Sequence, residues 1–221
     1  MKIERLEIFS AGMRAQKTFY KEVLGFEIHE ENSDSFEVVF GYSILKFTQK
    51  EFATPYHIAI HIPDKQEKKA LEWLKARVKI LKAGEDEIVD FSNWNARSIY
   101  FYDEDLNIME LISRRDLFNT SPSEFSSRGF LGIAEIGLAI NDISPKFKFL
   151  KDHCSLDVYD GNFEKFCAIG DDEGLMITIN KDLKDWFPTD DKAFASEFSI
   201  SFKNDEKLYH LIFEKEQLLL K

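Results

Sequence analysis

The order of strand-like and helix-like segments is the feature that most constrains the fold of this chain. Apolar and polar residues alternate over residues 3–9, as in a half-buried strand, and residues 13–24 carry apolar side chains at helical spacing before Gly25. Turn residues then separate short strand-like segments at residues 26–30, 35–40 and 43–48. The first unit is therefore predicted to be βαβββ.

The same order recurs further along the chain, which indicates an internal duplication. The second unit has a strand at 57–62, a helix at 65–81 and strands at 87–90, 98–102 and 107–113. The third begins with a strand at 134–140 and a helix at 146–153, where Phe149 follows Phe19 by 149 − 19 = 130 residues. A fourth, incomplete unit is predicted from a strand at 197–202 and a helix at 206–219.

A polar stretch interrupts this pattern at residues 119–129, which are rich in Ser and include Pro122 and a terminal Gly129. We predict a linker over residues 116–130. It would separate a two-module domain of residues 1–115 from a second, truncated domain of the same kind over residues 131–221. The fold class predicted from these units is α+β.

Charge and composition exclude several classes of function. The chain has 221 residues, of which 44% are hydrophobic, and a formal net charge of -11, so it can bury a core but offers no basic surface for nucleic acid or an anionic membrane. It opens on a strand-like segment rather than a signal sequence and has no run of about 18 apolar residues, so we predict a cytoplasmic protein. Cys154 and Cys167 are too few for a disulfide framework.

Three motifs within residues 1–115 carry a resemblance to a known family. Residues 19–26 read FYKEVLGF, residues 57–62 read HIAIHI, and residues 100–111 read YFYDEDLNIMEL. Together they resemble the helix, strand and hairpin motifs of the vicinal oxygen chelate superfamily, which includes glyoxalase I, fosfomycin-resistance proteins and extradiol ring-cleaving dioxygenases. The resemblance implies paired βαβββ modules whose sheets curl into half-open barrels around a small-molecule pocket. In metal-using members, His and Glu side chains hold a divalent ion there.

Carried over by position, the resemblance assigns two metal ligands that would also be the catalytic residues. His57 matches the family's second histidine, and Glu110 matches its closing glutamate. The family's first histidine lies 14 residues before the Phe of the Phe-Tyr pair, and Arg5 holds that position here because 19 − 5 = 14. Lys46 replaces a further glutamate of the glyoxalases. Protonated Arg and Lys have no lone pair to donate to an ion.

Glu7 is the predicted third ligand. It lies two residues after Arg5, and therefore on the same face of the strand, so its carboxylate could complete a set with His57 and Glu110. One imidazole and two carboxylates suit a single divalent transition metal, Mn, Ni, Zn or Fe(II). The ion would act as a Lewis acid on adjacent substrate oxygens.

Two alternatives without a metal are also open. In the first, Arg5 pairs with Glu110 and fills the site, and the protein binds or sequesters an anionic or planar small molecule with Arg5 and Lys46. Bleomycin-resistance relatives imply such a role. In the second, His57 is a general base whose proton transfer is tuned by Glu110.

Two ligand-binding candidates precede the last hairpin of the second unit. Trp94 and Arg97 could cover the mouth of the pocket and grip a planar or anionic ligand. The overall prediction is a glyoxalase- or dioxygenase-type protein with a small-molecule pocket in the first domain, and a homodimer as the expected assembly.

The second half carries a less complete set of ligand positions. Glu135 holds the first-ligand position because 149 − 135 = 14, Glu197 matches His57, and Ile177 replaces Lys46. The closing glutamate has no counterpart. We therefore predict a structural role for this half, either covering the open sheet of the first half or forming a dimer contact.

Overall fold

The computed structural model describes residues 1–29, 32–117 and 124–221. Its helices are α1 (Met13–Thr18), which a π-helical turn at Phe19–Val23 extends, α2 (Glu67–Lys75) and α3 (Ile143–Cys154). Its strands are β1 (Lys2–Ser10), β2 (Ile28–His29), β3 (Ser35–Phe40), β4 (Ser43–Gln49), β5 (His57–His61), β6 (Ile80–Leu81), β7 (Val89–Phe91), β8 (Ala96–Tyr102), β9 (Ile108–Arg114), β10 (Gly132–Ile140), β11 (Val158–Gly161), β12 (Phe166–Asp171), β13 (Gly174–Asn180), β14 (Phe198–Asn204), β15 (Lys207–Glu214) and β16 (Gln217–Leu220). Within the described ranges, no helix is long and apolar enough to span a membrane.

All 16 strands that the structure describes form one continuous sheet, whose two halves are joined through β1 and β10. We call these halves the companion sheet and the site sheet. The companion sheet has the order β2-β3-β4-β1-β14-β15-β16, in which β4 runs parallel and β14 antiparallel to β1. The site sheet has the order β11-β12-β13-β10-β5-β9-β8, and both β6 and β7 pair with β8. The pair Ile3 and Ile133 links the two sheets. The predicted α+β fold class is confirmed.

Strand pairing crosses the boundary predicted between residues 115 and 131. In the companion sheet β14 pairs with β1, and in the site sheet β10 pairs antiparallel with β5. Each sheet therefore contains strands from both predicted domains. The division into residues 1–115 and 131–221 stays a prediction, but these two segments do not form separate sheets.

The predicted linker is described only in part. Residues 118–123 lie outside the described residues. Of the remainder, Phe130 is 1% exposed, and its ring centroid lies 4.9 Å from that of Phe26. The C-terminal end of the predicted linker is therefore packed into the core.

The first helix holds the hairpin that leads into the site. Gln16 Nε2 donates to Asp103 Oδ2 at 2.8 Å, and the Tyr20 hydroxyl donates to the same oxygen at 3.1 Å. Asn107 Nδ2 donates to it as well, at 2.8 Å. Asp103 lies in the turn between β8 and β9, so this buried network fixes the hairpin that carries Glu110.

A strand hairpin replaces the helix predicted over residues 206–219. β15 pairs with both β14 and β16, and its buried side chains, Leu211 and Phe213, alternate along the strand. The turns on either side of β15 have positive φ at both central residues, Asp205–Glu206 and Lys215–Glu216. Such turns usually contain Asn-Gly or Asp-Gly. The helix prediction was wrong because these hairpins lack that sequence signal.

A second correction concerns the helix predicted over residues 65–81. The helix is shorter, Glu67–Lys75, and the end of the predicted range forms strand β6, in which Ile80 pairs with Phe101 of β8. Ile80 is buried by this pairing.

Candidate metal centre

Three buried side chains converge on one face of the site sheet. β5 lies between β9, which runs parallel to it, and β10, which runs antiparallel. The register places Ala59 of β5 opposite Glu110 on one side and opposite Glu135 on the other. His57 precedes Ala59 by two residues and therefore shares its face. The pairing of β5 with β9 and β10 thus brings His57, Glu110 and Glu135 together.

The distances in this cluster are those of a group that can share one ion. His57 Nε2 lies 3.5 Å from Glu110 Oε2 and 3.8 Å from Glu135 Oε2. One ligand atom from each of the three residues lies within 4.8 Å of the others. Each residue is at most 5% exposed. Ligand atoms bound at about 2.1 Å to one ion are about 3.0–3.4 Å apart, so a small inward movement would complete the coordination.

The second oxygen of each carboxylate is held by the protein. The Ser98 hydroxyl donates to Glu110 Oε1, and Arg114 Nη2 donates to Glu135 Oε1 at 2.6 Å. Arg114 is buried, and its Nη1 lies 3.5 Å from Asp172 Oδ1. These contacts fix both carboxylates while their Oε2 atoms point towards His57.

The two carboxylates have opposite pKa shifts. Burial, together with the negative charge of Glu135, raises the pKa of Glu110 to about 7. Burial also opposes ionisation of Glu135, but the His57 imidazole and the Arg114 guanidinium outweigh it and lower the pKa of Glu135. At neutral pH, Glu135 is therefore ionised and Glu110 is poised between its two protonation states.

A tryptophan stacks on the His57 ring. The ring centroids of His57 and Trp186 are 5.2 Å apart, with an angle of 27° between the planes. Trp186 sits directly over Gly137 of β10, where an added Cβ would lie 2.8 Å from two atoms of the indole ring. His57 Nδ1 is buried and has no hydrogen-bond partner in the described part of the chain, so the Trp186 ring supports the imidazole in addition to the contacts of the carboxylates with Nε2.

An aromatic cavity of about 540 Å³ opens beside the cluster. This size is typical of pockets for small organic ligands. Aromatic rings supply much of its wall, and polar side chains lie among them. The lining residues are His57, Asp90, Phe91, Ser92, Asn93, Trp94, Tyr100, Glu110, Glu135, Asp160, Phe166, Ile177, Ile179, Lys184, Trp186 and Phe187.

The sequence-predicted site residues of β1 and β4 lie elsewhere. Lys46 Nζ is 3.1 Å from Glu7 Oε1, which also accepts a hydrogen bond from Thr48 Oγ1 at 2.6 Å. Arg5 pairs with Glu37 instead of Glu110. The set of His57, Glu110 and Glu7 stays a prediction. In the structure, Glu135 of β10 lies beside His57 and Glu110, whereas the Glu7 carboxylate is engaged by Lys46 and Thr48.

Of the two ligand-binding candidates that precede the hairpin, Trp94 and Arg97, only Trp94 lies at the cavity. Trp94 lines the cavity, and its indole Nε1 donates to Asp160 Oδ2 at 2.6 Å. Arg97 is not among the lining residues, because its Nη2 lies 3.0 Å from Asp90 Oδ2 and its Nη1 lies 3.6 Å from Glu67 Oε1. Its charge is neutralised outside the cavity.

The sequence analysis reached Glu135 by position but assigned it no role in the site. The spacing to Phe149 identifies it as a first-ligand position, but the strand that it would join could not be read from spacing. Arg114 and Trp186 carried no motif at all. The cavity is also lined by residues of both halves of the chain, whereas the prediction placed it in the first domain.

The residues present fit a divalent transition metal. One imidazole nitrogen and two carboxylate oxygens are donors that such ions accept. Two buried carboxylates beside each other are costly unless a positive charge offsets them, and Arg114 offsets only one. An ion between the three side chains would supply the missing positive charge.

Comparison with solved structures identifies the fold. A candidate dioxygenase from Bacillus subtilis matches 99% of this chain and 83% of its own, with a TM-score of 0.62 and 12% sequence identity. Glyoxalase I from Zea mays matches 80% of this chain and 66% of its own, with a TM-score of 0.53 and 14% identity. The chain has the vicinal oxygen chelate fold. The predicted resemblance is thereby confirmed at the level of the fold.

Another solved structure matches a smaller part of the chain. A glyoxalase/bleomycin resistance protein/dioxygenase from Nocardioides matches 57% of this chain and 90% of its own, with a TM-score of 0.42 and 20% identity. No protein-family model and no curated protein that was searched matches the sequence.

Proposed function

We propose that this protein with the vicinal oxygen chelate fold is an enzyme of the glyoxalase or dioxygenase type. It binds one divalent transition metal through His57, Glu110 and Glu135, and its substrate is a small molecule in the adjoining cavity. The observation that carries the proposal is the convergence of these three buried side chains at the inner end of an aromatic cavity. A homodimer and a cytoplasmic location stay predictions.

The metal, one of Mn, Ni, Zn or Fe(II), would supply Lewis acidity towards adjacent oxygens of the substrate. Arg114 keeps Glu135 ionised and fixes its orientation. Glu110, with its pKa raised to about 7, can hold or release a proton near neutral pH. The aromatic side chains of the wall favour ligands with apolar surface.

The metal-free binding function is less favoured, because it relies on Arg5 and Lys46 as ligand-binding cations. Both are engaged in ion pairs, Arg5 with Glu37 and Lys46 with Glu7. Their charges are therefore offset within the protein. They also lie on the companion sheet and do not line the cavity.

Metal content after loading tests the proposal. We expect about one ion per chain in the wild type after incubation with Mn, Ni, Zn or Fe(II) and removal of excess metal. Glu135→Gln should lower the affinity at least tenfold, because it removes a ligand that neighbouring groups hold in place. Glu7→Gln is the matched control, since it makes the same change at the carboxylate of the other sheet, and it should retain metal.

Elemental mass spectrometry with an equilibrium chelator competition gives both stoichiometry and affinity. Circular dichroism of each variant establishes that it is folded. Equal loss of metal in the Glu7 and Glu135 variants, or no uptake of any of the four metals by the folded wild type, would sink the proposal.

A further inference from the structure

Lys184 is the cation that faces the cavity. It lies in the segment between β13 and β14 and is half-buried, whereas the metal-binding cluster at the inner end of the cavity is fully buried. The structure shows no ion pair for its ammonium group within the described residues. The other basic residues near the site are engaged: Arg97 with Asp90 and Glu67, Arg114 with Glu135 and Asp172, and Arg115 with Asp64 and Glu67.

The acidic residues that line the cavity form ion pairs or hydrogen bonds with residues other than Lys184. Asp90 pairs with Arg97, and its second oxygen accepts from Ser92 at 2.7 Å. Asp160 accepts from the Trp94 indole at 2.6 Å and from the Gly161 amide at 2.7 Å, one hydrogen bond to each oxygen. Glu135 pairs with Arg114, and Glu110 accepts from the Ser98 hydroxyl. Among the described residues that line the cavity, Lys184 is therefore the lysine or arginine left to bind an anionic ligand.

Contacting aromatic rings form a continuous part of the cavity wall. Trp94 stacks on Phe91 with centroids 5.9 Å apart and on Phe166 with centroids 6.3 Å apart. Phe187 meets Phe91 edge to face at 6.0 Å and Tyr100 edge to face at 5.7 Å. Aromatic walls of this kind favour planar, apolar ligands.

From these three features we infer that the substrate is a planar aromatic compound with a carboxylate or similar anionic group, and that Lys184 binds this group at the outer part of the cavity. The inference rests on the proposed function for the orientation of the substrate, whose oxygens would face His57, Glu110 and Glu135. Lys184 is then a specificity-determining residue: it selects anionic over neutral ligands of the same shape.

Two probes of equal shape test this assignment. 2-Naphthoate carries a negative charge and 2-naphthamide does not, and calorimetric titration of the full chain in EDTA measures the affinity for each without a metal. The wild type should prefer the naphthoate about tenfold, as expected for one charge-assisted hydrogen bond. Lys184→Gln should reduce this preference to about twofold or less while its affinity for the amide stays within about twofold of the wild type.

Two further variants serve as controls. Lys181→Gln makes the same change three residues earlier, at a lysine that pairs with Glu216 and does not line the cavity, and it should keep the preference. Lys184→Arg should keep it as well, because the positive charge remains. Circular dichroism and urea unfolding establish that all variants are folded.

Equal wild-type affinities for the two probes would overturn the inference, as would no binding of either probe. A preference that survives Lys184→Gln would overturn it too, because the anion would then be held elsewhere. Metal content of the same preparations is scored separately. A charge preference that depends on Lys184 in a protein that binds no metal supports the anion site and contradicts the proposed function. Metal uptake by a protein that shows no charge preference supports the proposed function and contradicts the anion site.

Discussion

Glu110 is a buried residue whose charge changes near neutral pH. Its pKa is raised to about 7 by burial and by the nearby charge of Glu135, so it is partly protonated at neutral pH in the absence of an ion. A metal ligand must be deprotonated, and binding therefore has to displace this proton below about pH 7. The affinity of the protein for a divalent ion should consequently depend on pH.

We expect the apparent affinity for Mn²⁺ to be nearly constant above about pH 8 and to fall about tenfold for each pH unit below about pH 7. Titration of free Mn²⁺ by electron paramagnetic resonance between pH 6 and 8 measures this. Calorimetry in two buffers of different ionisation enthalpy measures the protons released. Glu7→Gln should show the same profile. An affinity that does not change between pH 6 and 8 would contradict the expectation that metal binding displaces a proton from Glu110.

For individual residues, the sequence indicated residue types and their spacing, but not which side chains lie next to each other in the fold. His57 and Glu110 were found because they stand in contiguous motifs. Glu135 was found as a position, since the interval of 14 residues to Phe149 is preserved. The sequence analysis did not bring Glu135 together with His57 and Glu110, because such a cluster is completed across strands and the antiparallel pairing of β10 with β5 has no local signal. The alternation of apolar residues along a strand indicates which face is buried, but it does not indicate which strand pairs with it.

Among the elements, β10 does more than supply Glu135. Two residues later it carries Gly137, on the same face, and the absence of a side chain there lets Trp186 stack on His57. An added Cβ would also lie 3.1 Å from His57 Cβ. The strand therefore affects the orientation of the imidazole and also carries Glu135, the proposed third ligand.

Gly137→Ala should displace the indole and weaken metal binding about tenfold, because the support that orients a ligand is lost. It should also reduce the free energy of unfolding by about 1–3 kcal/mol through overpacking. Chelator competition and urea unfolding measure the two effects.

A double-variant cycle separates this mechanism from a general loss of stability. Trp186→Leu should weaken metal binding by itself, since the leucine cannot stack. In the Trp186→Leu background, Gly137→Ala should then cost little further affinity, because the methyl group no longer meets an indole. Additive losses in the double variant would contradict the steric link between Gly137, Trp186 and His57.

The elements themselves were predicted with uneven success, for physical reasons. Strand β3 was predicted with its observed bounds because apolar side chains alternate between two turns. The region of β15 and β16 was predicted as a helix because its leucines also fit helical spacing. Its turns place Asp, Glu and Lys at positive φ, a conformation in which glycine and asparagine are the usual signal.

For the whole molecule, the central question is whether the site belongs to one half of the chain or to both. The pairing of β5 with β10 and of β1 with β14 makes each sheet a composite. The buried pair of Arg114 and Glu135 also joins the two halves at the site. Separating the halves would leave a buried charge without its partner, which typically costs about 3–5 kcal/mol. It would also expose the edges of β1 and β5.

Residues 1–117 and 124–221, produced as two separate chains, test this arrangement. We expect residues 1–117 alone to aggregate or remain unfolded and to bind no metal at the affinity of the intact chain, because its set of ligands lacks Glu135. Co-expression should give a one-to-one complex that binds metal, and Glu135→Gln in the second chain should abolish that binding. A folded, monomeric 1–117 that binds one ion would favour the first-domain site with Glu7 and contradict the composite one. In this experiment Glu7 and Glu135 lie in different chains. Glu7→Gln in the first chain and Glu135→Gln in the second therefore show which half of the protein supplies the third carboxylate.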